Sequence, residues 1–163
     1  MSGGPTYTPI ATTTLGSAAA SYTFSSIPST YTDLVVVFNG TAASTTALGI
    51  QFNSDTGTNY SCTVLRGTGT GADSYRASSQ TLISVDHTVT STDGVAIINI
   101  MNYANSTTYK TVLTRNGAAT SYVQTEVGLW RSTSAINTIK LSAVDGTGFN
   151  TGTSFSLYGI ASA

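Results

Sequence analysis

The chain has 163 residues, of which 40% are apolar and only 8% are Asp, Glu, Lys or Arg, with a formal net charge of −1. That length accommodates one domain with a core of its own, and ample hydrophobicity with negligible net charge excludes a disordered chain. Six cationic side chains against seven acidic ones leave no basic stripe, so nucleic acid is not an expected partner: counterion release has little to act on.

In chain order, the first dozen residues carry Gly3, Gly4, Pro5 and Pro9 and show no periodicity. They read as an arm, residues 1–12, ahead of a single domain over residues 13–163. A neighbouring subunit is a natural holder for such an arm, and the arm can also lie against its own domain; the first case makes Pro5, Tyr7 and Pro9 candidate interface residues. The N-terminus lacks the basic and apolar regions of a secretory signal, and no apolar run approaches the roughly 20 residues of a membrane helix. The expectation is synthesis in a host cytoplasm, without Sec-type export and without a membrane partner.

Beyond the arm the period is two almost everywhere, the signature of strands. It runs through residues 21–27, 34–38, 48–52, 60–66, 80–85, 95–101, 109–115, 122–129, 136–144 and 155–160. In the eighth of these, Val123, Thr125, Val127 and Leu129 make an apolar-leaning face and Tyr122, Gln124, Glu126 and Gly128 a more polar one. Turn formers separate the runs: Asn39-Gly40, Asp55-Thr56-Gly57, the glycine-threonine alternation from Gly67 to Gly71, Asp93-Gly94, Asn116-Gly117 and Asp145-Gly146-Thr147-Gly148. About ten short strands with such punctuation predict an all-β fold, an antiparallel β-sandwich of jelly-roll-like form.

Two runs break the alternation. Leu34-Val35-Val36-Val37-Phe38 and Val95-Ala96-Ile97-Ile98-Asn99-Ile100-Met101 are apolar on both faces, so each needs cover on the side away from the core. A loop of the same chain or a neighbouring subunit can supply it. Val35, Val37, Ile98 and Ile100 join the candidate interface on that ground, and a homo-oligomer, with a trimer favoured, is expected.

Residues that could carry chemistry are few. His87 is the only histidine, and no Gly-x-Ser-x-Gly elbow nominates a nucleophile for it, so a polar histidine in a loop or at a strand end is expected. Glu126 is the sole glutamate, and the acids mostly neighbour Gly or Thr in turn-like contexts. The segment from Asn53 to Asn59 alternates side-chain oxygens around Gly57 as a calcium loop begins, but no bidentate acid follows; an Asx-type turn is the expectation. The Gly67 to Gly71 run is followed by neither a helix nor a Lys-Ser or Lys-Thr pair, so it reads as a loop at one end of the sandwich rather than a phosphate cradle. Cys62, the single cysteine, reads as a buried small hydrophobe. Trp130 and the nine tyrosines could form a glycan-stacking platform, though packing of Trp130 in the core or in a subunit interface is favoured. No catalytic residue, cofactor or metal ligand is nominated, and an enzyme is not expected.

Three segments carry a resemblance: Phe24 to Leu34 with its Ile27-Pro28-Ser29-Thr30-Tyr31-Thr32-Asp33-Leu34 core, Gln51 to Ser61, and Phe155-Ser156-Leu157-Tyr158-Gly159-Ile160. Together they resemble small virion structural proteins of tailed bacteriophages, over roughly residues 20 to 160. The resemblance implies a β-sandwich virion component: a capsid decoration (cement) protein on the outer surface of the particle, in contact with the major capsid protein or other virion proteins. Its alternative is a tail fibre or tail-tip domain. A lectin-like module is the reading from a different class. The resemblance brings no catalytic residues.

Overall fold

The computed structural model describes residues 6–161, except for the side chain of His87. Twelve strands are found among them: β1 (Tyr7–Thr14), β2 (Ser21–Phe24), β3 (Asp33–Asn39), β4 (Thr46–Phe52), β5 (Tyr60–Gly67), β6 (Ala72–Gln80), β7 (Ile83–Val89), β8 (Val95–Met101), β9 (Lys110–Ala118), β10 (Tyr122–Trp130), β11 (Ile139–Ala143) and β12 (Ser154–Ile160). They form an eight-stranded sheet in the order β1-β12-β3-β8-β9-β10-β5-β6 and a four-stranded sheet in the order β2-β11-β4-β7, antiparallel throughout. The expected all-β sandwich is present.

The core lies between the two sheets. Leu34, Val36 and Phe38 of β3 pair with Ile100, Ile98 and Ala96 of β8, all fully buried on the inner face. Facing them, the four-stranded sheet supplies Leu48, Ile50, Phe52, Ile83, Val85, Ile139 and Leu141. Phe38, Phe149 and Phe155 meet with ring centroids 5.3–5.5 Å apart, and Tyr22 stacks on Phe155 at 5.1 Å. Aromatic rings contribute the largest buried areas of any side chains, so this cluster anchors one end of the sandwich.

Two strands escape the sequence pattern. Residues 7–14, most of them expected in the arm, form the edge strand β1, whose ladder with β12 shifts register between Pro9 and Ala11. Proline and a bulge both blunt an edge, and both erase the alternation that would announce a strand. β6 is nearly all polar and exposed, so its pairing with β5 has no hydrophobic signature. The turn expected at Asn116-Gly117 also lies elsewhere: both residues belong to β9, and the chain reverses after Ala118. A Cβ on Gly117 would sit 2.3 Å from the Tyr122 carbonyl oxygen, so glycine here serves close backbone approach. The Gly67 to Gly71 run is the β5–β6 hairpin turn, with Gly69 at φ 82°.

The segments that carry the resemblance meet inside the fold. Tyr31 packs on Gly159, where a Cβ would fall 2.3 Å from its ring, and the buried Tyr103 hydroxyl donates to the Pro28 carbonyl. Both contacts hold the 28–31 turn against strands β12 and β8, which gives these residues a packing role.

Candidate functional site

The four-stranded sheet covers one face of the larger sheet and leaves the other open. On that outer face, register aligns Val35, Asn99, Leu113, Val127 and Thr63 in one row and Val37, Ile97, Arg115, Thr125 and Leu65 in the next. A third row joins Val95, Gly117, Val123 and Gly67. Val123 is 70% exposed, Leu65 57% and Val127 50%, with Val95, Leu113 and Met101 also exposed. Arg115 is the one charged side chain on the outward positions of β5, β8, β9 and β10. A depression of about 470 Å³ opens here, bordered by Leu65, Gly67, Ala72, Arg115, Val123 and Thr125.

β10 runs against ordinary patterning. Its apolar-leaning face, Val123 to Leu129, points outward, and its polar positions Gln124 and Glu126 point into the sandwich, where they are 4% and 1% exposed. Inside, they meet a polar cluster built on β7, where the ladder with β4 shifts register. The Asp86 carboxylate accepts from the Ser84 hydroxyl at 2.8 Å and from the Tyr75 hydroxyl, while the Gln124 amide donates to the Asp86 carbonyl. Asn116 donates to the Thr88 hydroxyl at 2.9 Å. Neither carboxyl oxygen of Glu126 has a hydrogen-bond partner among the described residues; burial, and then the charge of Asp86, push its pKa up to about 8. Cys62, buried as expected, is pushed up to about 11, chiefly by burial.

The candidate interface residues separate into three groups. Pro5 lies outside the described residues. Tyr7 and Pro9 are exposed on edge strand β1, with the Tyr7 ring edge-on to Tyr158 at 6.3 Å, and Val35 and Val37 lie on the outer sheet face, Val35 only 5% exposed. Ile98, Ile100 and Trp130 require correction. They point into the core at 0%, 0% and 2% exposure, because strand alternation in β8 assigns the outer face to Ile97 and Asn99. Leu65, Leu113, Val123 and Val127 were missed. Their alternation was legible, but which side of it faces the second sheet depends on how the sheets stack.

Trp130 is a structural pin. It stacks on Tyr60 at 6.3 Å and approaches Phe52 at 5.6 Å, while its indole N–H donates to Asp55 at 2.7 Å. Asp55 also accepts from the Gly57 N–H at 2.8 Å and the Asn59 amide at 2.9 Å, the Asx turn expected for this segment. These bonds, Trp130 first, hold its pKa below the usual 3.8 despite partial desolvation. Asn53 and Ser54 adopt φ of 50° and 57°, as in a type I′ turn, and the Asp55 N–H closes it onto the Phe52 carbonyl at 2.9 Å. The carboxylate that would head a calcium loop is engaged inside the fold.

Comparison with known proteins identifies no matching family model, no matching curated protein and no matching solved structure.

Proposed function

We propose that this chain is a bacteriophage virion structural protein, a capsid decoration subunit that acts by packing against copies of itself and neighbouring virion proteins. The observation that carries this reading is the open outer face of the eight-stranded sheet, apolar and hydroxyl-rich with Arg115 as the sole charge across four strands. A bare apolar surface of this kind on a soluble domain marks an interaction site. The sequence resemblance over residues 20 to 160 supplies the virion context, and low charge suits a lattice in which many copies lie close together. In this role the protein stabilises the head by burying area across capsomer boundaries.

A tail-associated domain is the second reading, since the same resemblance covers both locations. The lectin-like reading loses Trp130, which is enclosed by Tyr60, Phe52 and Asp55, and rests on exposed tyrosines such as Tyr7 and Tyr109 alone. Mass spectrometry and antibody labelling of purified particles test the proposal directly. Label on heads, with particles lacking the chain releasing DNA at lower temperature, is the expected result. Label confined to tails selects the second reading, and absence from particles removes both.

A further inference from the structure

We propose that two copies of this chain pack through the outer faces of their eight-stranded sheets, with β10 at the centre of a two-fold contact. The inference builds on the assembly role above and names what covers the open face.

Four observations converge on a second copy. The first is the inversion of β10, which turns Val123, Val127 and Leu129 away from the core and buries Gln124 and Glu126 instead. Burying a carboxyl without a hydrogen-bond partner is costly and exposing valines forgoes a gain, so this orientation of β10 is compensated when the outward valines are covered as well.

The second is charge. An anionic partner such as nucleic acid or a phospholipid headgroup layer needs several cations, whereas the outward positions of β5, β6, β8, β9 and β10 carry only Arg115 and, beside Thr63 at the β6 edge, Arg76. The matching surface is apolar, hydroxyl-bearing and nearly neutral, and the face itself has that chemistry.

The third is size. Six strands spaced about 4.8 Å apart, each presenting about seven residues at 3.4 Å, offer a surface of roughly 30 by 25 Å. That approaches the roughly 800 Å² per partner of a standard stable interface.

The fourth is shape. A depression of about 470 Å³ lies beside Leu65 and Val123, which stand out as the two most exposed aliphatic side chains of the patch. A face that carries both a protrusion and a recess can complement itself, as an isologous contact requires. A two-fold axis lying in the interface along β10 sets β5 of one copy over β9 of the other. Each Arg115 then sits about 10 Å laterally from its mate, twice the strand spacing, and within reach of the Thr63 and Thr125 hydroxyls of the second copy.

Sedimentation equilibrium of the full chain, with Leu65→Lys, which sets a cation opposite the Arg115 of the second copy, and Val127→Arg as separate variants, tests the inference. Both positions are at least half exposed, and thermal melts monitored by circular dichroism verify that each variant folds. The expected result is a wild-type dimer and a dissociation constant weakened on the order of 100-fold in each variant. Should either variant fail to fold, Val123→Lys, at the most exposed position, takes its place. A wild-type monomer at every accessible concentration, a trimer, or a dimer indifferent to these substitutions overturns the inference. Particle labelling is independent of this readout. A dimer absent from virions removes the virion reading and leaves the contact standing; a monomeric chain found in virions does the reverse.

Discussion

Glu126 shows how one side chain can make stability depend on pH. Its carboxyl lies between the sheets with Asp86, Tyr75 and Cys62 as titratable neighbours, and its folded pKa is about 8 against 4.5 for the free side chain. A raised pKa means the folded state holds its proton while the unfolded chain has released it. The associated stability is fully present below pH 4.5, declines as pH rises, and is lost by pH 8 and above. That difference amounts to on the order of 4 kcal/mol. Glu126→Gln, which mimics the protonated acid, is expected to melt near the wild-type temperature at pH 5 and roughly 10 °C above it at pH 9. Calorimetric scans at the two pH values check this, and an equal offset at both would show that ionisation of Glu126 is not the cause.

At the scale of elements, the β4–β5 connection passes from one sheet to the other with no ladder between the two strands, and side chains hold it. Asp55 ties the turn to Trp130 of β10, and the Tyr60 hydroxyl accepts from the Phe52 N–H at 3.0 Å and donates to the Asp55 carbonyl at 3.1 Å. Asn53 extends the connection by accepting from Asn137 at 2.9 Å and donating to the Ala135 carbonyl at 2.8 Å. Asp55→Ala leaves the indole N–H without its partner and should cost about 2 kcal/mol, with faster amide exchange across residues 55–60. Because the folded pKa of Asp55 is depressed, its contribution is present above pH 3.8 and fades as pH falls through the folded value. Hydrogen exchange that keeps its wild-type rate in this connection would refute the pinning role.

At the scale of the fold, the uneven division into eight and four strands leaves one broad face without a partner among the described residues. If copies cover that face, association stabilises the folded state by mass action. The melting temperature of the wild-type chain should then rise by several degrees per hundredfold increase in concentration, and that of Leu65→Lys should stay constant. Differential scanning calorimetry over a dilution series distinguishes the two. A concentration-independent wild-type midpoint would mean the face is bare in solution.

Sequence alone determined the all-β class and most turn positions, because strand period and turn chemistry are local properties. It located β8 to the residue and the Asp55 turn by its side-chain spacing. It could not find β1 or β6, whose proline, bulge or polar composition removes the alternation. Only the tertiary structure decided which half of each alternation faces in. A two-residue period divides a strand into two faces without labelling them, and the label is set by stacking of the second sheet. That is why Ile98, Ile100 and Trp130 moved from the candidate interface to the core, while Val123, Val127 and Leu65 emerged as the open surface.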